Sequence, residues 1–261
     1  MMPNPRLPAE ILDYIVGNLH DTEDAFRSCC LVSKSWIPRA RKHLFANIAF
    51  PTVESLQSWK KKFPDPSTSP ARYAKSLFID CAAPNAEAGS WIRGFSRIVR
   101  LEVGTYLNLD EPVISLIPFH GLSPVLKSLH VTAPALPPSC IFDLVLSFPL
   151  LEDLAVTTHG MWARHSGNSK EDERPTNPQP SSPPVLTGSL KLDLFGGMKP
   201  ITSRLLSVPG GIRFWELTLT WLHEKDLLTT TRLAEECSHT LESLDITWSL
   251  GKLIRHLRPH R

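Results

Sequence analysis

A serine hydrolase needs its serine on a tight glycine turn, within reach of a histidine that an acid orients. The nearest approach to that pattern in the chain is Gly121-Leu122-Ser123-Pro124-Val125. It lacks the closing glycine and lies in a turn broken by proline, so Ser123 is not expected to act as a nucleophile. A zinc site needs three or four donors at defined spacing. Cys237-Ser238-His239 supplies two and no partners, and Cys237 falls where a repeat helix would end, so packing is expected of it. The other cysteines are Cys29, Cys30, Cys81 and Cys140, with no Cys-x-x-Cys pair. An odd, sparse set in a long chain reads as apolar thiols rather than a disulfide framework. GxGxxG, GxxxxGK and HExxH are all missing, and the ten histidines are scattered. No catalytic residue, no metal and no cofactor are expected.

Composition narrows the remaining classes. The 261 residues are 42% hydrophobic and 21% charged, with 28 basic and 26 acidic side chains. Such a chain can bury a core, but it has no long-range field for nucleic acid or an anionic membrane. Neither is expected as a partner. No apolar run approaches the ~20 residues that span a bilayer, and no secretory leader is recognisable near the start. The reading is a soluble protein of the reducing cytosol or nucleus. Proline (24 residues) and leucine (37 residues) are both in excess, and between them they organise the chain.

Residues 7–50 read as three short helices. Pro8 suits a first helical position, with Glu10 in the first turn. Ile11, Leu12, Ile15, Val16 and Leu19 follow at helical spacing. Asp21 or Thr22 can cap a second helix carrying Ala25, Phe26, Cys29 and Cys30. Ser33 or Ser35 can cap a third, with Trp36, Ala40, Leu44 and Phe45 inward. Pro38 is tolerable if that helix begins at about Ser35. The stripe on the first helix is wider than so small a core requires, which predicts a docking surface for another protein.

The remainder repeats. The phrase apolar-x-x-Leu-x-apolar occurs around Leu77, Leu101, Leu129, Leu154, Leu192, Leu217 and Leu244. The intervals are 24, 28, 25, 38, 25 and 27 residues, close to the ~20–29 of leucine-rich units. Leu-x-Val alternation predicts a short strand with leucine inward. Helix-like segments at 85–95, 110–119, 139–147, 200–207 and 225–237 would return the chain, making the strands parallel. Such units cannot close cores singly, but stacking them buries a continuous one. The long interval contains 164–184, proline-rich and without large apolar residues, expected to be a disordered insertion. Residues 51–73 are expected to be a linker, and 251–261 a basic tail without acids.

The residues between inward leucines would face the opposite, concave side in two columns. They are Phe78 and Asp80, Glu102 and Gly104, His130 and Thr132, Ala155 and Thr157, Asp193 and Phe195, Thr218 and Thr220, Asp245 and Thr247. As a set they are a candidate surface for a target protein.

The run Leu7-Pro8-Ala9-Glu10-Ile11-Leu12, then Ile15, then Cys30-Leu31-Val32-Ser33-Lys34-Ser35-Trp36, then Ala40 and Leu44-Phe45, resembles the F-box. Pro38 departs from the commonest form. The later phrases resemble, more loosely, the leucine-rich repeats that follow the F-box in that family. The resemblance implies an α/β chain: an N-terminal three-helix F-box at 5–50, then a short leucine-rich-repeat-like solenoid at 74–250 with a parallel sheet on its concave face. It also implies binding to a Skp-family adaptor, and through it to a cullin, within a ubiquitin ligase. By position, Leu7, Pro8, Ile11, Leu12, Ile15, Leu31, Val32 and Trp36 match adaptor-facing or core residues. The function implied is a substrate-recognition subunit whose solenoid holds a target protein. The rival reading is a non-catalytic repeat scaffold without a ubiquitin role, its helical head merely capping the array. A small hydrolase is disfavoured by the missing motifs.

Overall fold

Pro8 precedes the first helix as its N-cap rather than opening it: α1 runs Ala9–Gly17, with Glu10 in its first turn. The computed structural model describes residues 8–19, 23–65, 68–80, 91–104, 119–132, 138–159, 185–195 and 199–248. Leu7, the cap positions Asp21 and Thr22, most of 85–95 and 110–119, all of 164–184 and the tail therefore lie outside the described residues. α2 spans Glu23–Val32 and α3 spans Ile37–Leu44. α3 starts two residues later than Ser35, so Pro38 occupies its second position, where a missing N–H breaks no helical bond. Arg41, Lys42 and His43 in its last turn suit the negative end of the helix. Val16, Phe26, Cys29 and Ala40 make the buried centre of this head, with Leu19, Cys30, Trp36 and Leu44 packed around it. His43 stacks on Phe26 at 4.9 Å, and Asp13 pairs with Arg39 at 2.6 Å to tie α1 to α3.

Eight strands follow: β1 Asn47–Phe50, β2 Ser76–Asp80, β3 Arg100–Gly104, β4 Ser128–Thr132, β5 Asp153–His159, β6 Leu186–Phe195, β7 Ile212–Leu222 and β8 Ser243–Trp248. They form one open sheet in chain order, every neighbouring pair parallel. Further helices are α4 Val53–Lys62, α5 Pro138–Leu146, α6 Lys199–Leu206 and α7 Leu227–Glu236. The last three agree with the sequence reading of 139–147, 200–207 and 225–237.

Alternation decides which face is covered. Leu77 and Ile79, Leu101 and Val103, Leu129 and Val131, Leu154 and Val156, Leu190 and Leu192, Leu217 and Leu219 are buried in one cluster. Leu56, Phe95, Ile141, Leu144, Ile201, Leu205 and Leu233 from the helices and connections enter the same cluster. The residues between them on the strands stay half-buried or exposed. The described helices thus lie on one face, and among the described residues no helix covers the other. None of the helices found among the described residues is long and apolar enough to cross a membrane.

Three expectations need correction. First, 51–73 is not a plain linker. Thr52 and Ser55 form a reciprocal cap for α4, which buries Leu56, and Trp59 packs its ring edge on Phe45 and Phe50. Second, β1 extends the sheet by one strand before the first expected repeat: Ile48 and Phe50 replace the leucines of the phrase. Third, the copy around Leu192 is out of step by two residues. Leu190, not Leu192, lies opposite Leu154 and Leu217, so the long interval is 36 residues and the next is 27. β6 enters over Gly188, at φ +104°, where a Cβ would collide with the Glu152 carbonyl oxygen. That leaves the Glu152 carbonyl free to accept from the Ser189 N–H at 2.7 Å.

Candidate protein-docking surfaces

The head divides its motif residues by exposure. Leu12 is buried, Ile15 is half-buried, and Trp36 packs on the head's core. Pro8 and Ile11 are exposed. Leu31 and Val32, on the last turn of α2, are 89% and 67% exposed. Leu12 and Trp36 therefore serve packing, while Pro8, Ile11, Leu31 and Val32 are open to a partner. Tyr14 is 71% exposed and was missed by the motif. Its spacing of three from Ile11 puts it on the same helical flank, and that periodicity was the available signal.

On the open face, strand register assembles the columns. One row reads Phe78, Glu102, His130, Ala155, Lys191, Thr218, Asp245. The next reads Asp80, Gly104, Thr132, Thr157, Asp193, Thr220. The slip in β6 moves Asp193 from the first row to the second and introduces Lys191, which sequence reading omitted. Phe195 registers beyond both rows, opposite His159, and its side chain lies outside the described atoms. The register shifts after Leu219 in the β7–β8 pair, so Thr247 is not brought opposite Thr220. A further row was missed entirely: Ser76, Arg100, Ser128, Asp153, Ser189, Glu216, Ser243. These residues immediately precede the inward leucines, so strict alternation would have found them.

His130 is the centre of the polar contacts on this face. Its Nδ1 is 3.4 Å from a Glu102 carboxylate oxygen. Its Nε2 lies 3.3 Å from the Thr157 hydroxyl and 3.4 Å from that of Thr132. Burial holds the imidazole below its ordinary pKa; Glu102 opposes that shift, and Arg100 and Lys191 add to it. The neutral ring is thus favoured, one nitrogen accepting and one donating. Beside it, Ser189 donates to Asp153 at 2.7 Å. A Cβ at Gly104 would come within 2.8 Å of an Asp80 carboxylate oxygen, so a larger residue there would push the Asp80 side chain aside. The carboxylate, imidazole and hydroxyl are in sequence, but on an open face rather than in a cleft. The arrangement suits recognition of another molecule's polar groups.

Ser123 and Cys237 both lie in the interior of the body. Ser123 is buried and donates to the carbonyls of Ser96 and Ile98 at 3.0 and 2.8 Å, clasping one unit to the one before. Thr240 does the same to Phe214 at 3.0 Å. Cys237 is buried, which pushes its thiol pKa up. Among the described residues no group of three or more candidate ligands could hold a metal ion. No protein-family model matches the chain, and comparisons with curated proteins and with solved structures likewise yield no match.

Proposed function

We propose that the chain is the substrate-recognition subunit of a Skp-cullin-F-box type ubiquitin ligase. The head is its F-box and docks on a Skp-family adaptor. The sheet and its helices form a short leucine-rich-repeat-like solenoid whose open face holds a target protein. The receptor does no chemistry itself: it raises the concentration of the target near a ubiquitin-loaded enzyme. One observation carries the reading. Ile11, Tyr14, Leu31 and Val32 are exposed on a head whose buried apolar side chains, among the described residues, are Leu12, Val16, Phe26, Cys29 and Ala40. That much uncovered apolar surface on so small a unit marks a protein contact. Parallel strands in chain order at the observed period support the solenoid reading.

Co-purification with a Skp-family adaptor is the test. The wild-type chain is expected to capture the adaptor, and Leu31→Asp to lose it while remaining folded. Wild type and variant behaving alike, whether both bind or neither does, removes the proposal. Leu12→Asp is unsuitable because Leu12 is buried.

A scaffold with no ubiquitin role is favoured by a different feature. Only Phe45 and Ala46 separate α3 from β1, which pairs directly with β2, so the head joins the chain at the first strand of the sheet, as the terminal unit of a scaffold would.

A further inference from the structure

β1 begins the sheet, and among the described residues no strand pairs with its outer edge. A groove of about 250 Å³ lies there, lined by all four β1 residues together with Phe45, Trp59 and Lys62. Successive strand residues point to opposite faces. A depression that touches four in a row therefore follows the strand's edge rather than either face.

The backbone polarity of that edge can be assigned. The Ala46 carbonyl accepts from the Ser76 N–H at 2.9 Å. In a parallel ladder alternate residues bond to the same neighbour. Ile48 and Phe50 thus turn their N–H and C=O toward β2, and Asn47 and Ala49 turn theirs outward. Both outward residues are exposed. An uncovered edge of this kind is a template for one more strand.

The flank defines what that strand should carry. α4 returns from β1 and ends in Lys60, Lys61 and Lys62. Lys60 is held over the Trp91 ring at 5.4 Å, whereas Lys61 and Lys62 are exposed and Lys62 lines the groove. Lys62 is the charged member of the lining, and its aromatic members are Phe45, Phe50 and Trp59, with Trp59 in edge contact with Phe45 at 6.2 Å and Phe50 at 5.6 Å.

We propose that the β1 edge binds an extended, acidic peptide segment of a partner protein as an added strand. The backbone groups of Asn47 and Ala49 supply the hydrogen bonds. An apolar side chain of the peptide packs against Phe45 and Trp59, and a carboxylate pairs with Lys62. None of Pro8, Ile11, Leu31 and Val32 of the head lines this groove, and the proposal does not depend on the ubiquitin reading.

The test uses the purified full chain and a displayed library of random nonapeptides as probe. Enriched peptides are expected to combine β-branched or aromatic residues with Asp or Glu. For a synthetic copy of one, N-methylation of alternate amides in one frame is expected to weaken binding about tenfold, and in the other frame to leave it unchanged. That readout leaves the protein untouched. Ala49→Pro removes an outward N–H at an edge position that tolerates proline, and is expected to reproduce the loss. Lys62→Glu is expected to shift enrichment toward basic peptides. The proposal is overturned if no peptide is enriched, if neither N-methyl frame matters, or if sedimentation shows the edge occupied by a second copy whose association Ala49→Pro abolishes.

Discussion

The head and the sheet body bury apolar side chains to different degrees. In the body, the inward leucines Leu77, Leu101, Leu129, Leu154, Leu190 and Leu217 are all essentially inaccessible. They share one buried cluster with each other and with side chains from the described helices and connections. In the head, Leu31 and Val32 lie in the open although they end the helix that carries Phe26 and Cys29. The difference follows from neighbours. A strand within the sheet has a neighbour on each side, whereas the described residues place nothing over Leu31 and Val32. The last strand repeats the lesson: Leu244, at the inward position of β8, is 45% exposed where its counterparts are buried.

The contrast can be broken or sharpened by mutation. Leu129→Ala should have the largest effect, with urea unfolding showing a loss of about 2–5 kcal/mol. A loss below that range would mean the centre of the body is less tightly covered than its burial implies. Ser123→Ala should come next, at about 1–3 kcal/mol, because the carbonyls of Ser96 and Ile98 lose a buried donor.

A pH effect should be smaller and directional. The folded protein holds the His130 pKa below its ordinary value, so below about pH 6.5 the unfolded chain binds more protons than the folded one. Stability contributed by the neutral ring is present above that pH and is lost on acidification. Burial lowers His120 in the same direction. The readout is therefore the difference between wild type and His130→Gln: the variant should lose stability less steeply as pH falls. Equal slopes would show that His130 has no part in it.

Leu31→Asp should sit at the bottom of the scale, within about 0.5 kcal/mol of wild type. A cooperative loss larger than that would mean Leu31 packs within the molecule.

Much of the body could be read before its coordinates, because a period-two pattern at a fixed interval specifies strand, face and neighbour together. What the pattern cannot specify is register within a longer alternation. In β6 Leu190, Leu192 and Leu194 are interchangeable by face, and only pairing with Leu154 and Leu217 selects Leu190. β1 escaped notice because Ile48 and Phe50 do the work of leucines. α4 was hidden under a run of lysines and nearby prolines, although Thr52, Leu56 and Trp59 carried its cap and inward face. In the head, adjacent Ile11 and Leu12 belong to one apolar stripe. Which of them faces the other helices is settled by packing, a tertiary property that composition does not contain.

Pairing every strand with its predecessor in the chain also has a kinetic consequence. Among the described strands none waits for a partner synthesised later, so each can add to the growing edge as it leaves the ribosome. Assembly then runs from the amino terminus like courses of brick, and the most recently laid course is always the one most vulnerable to capture by something else.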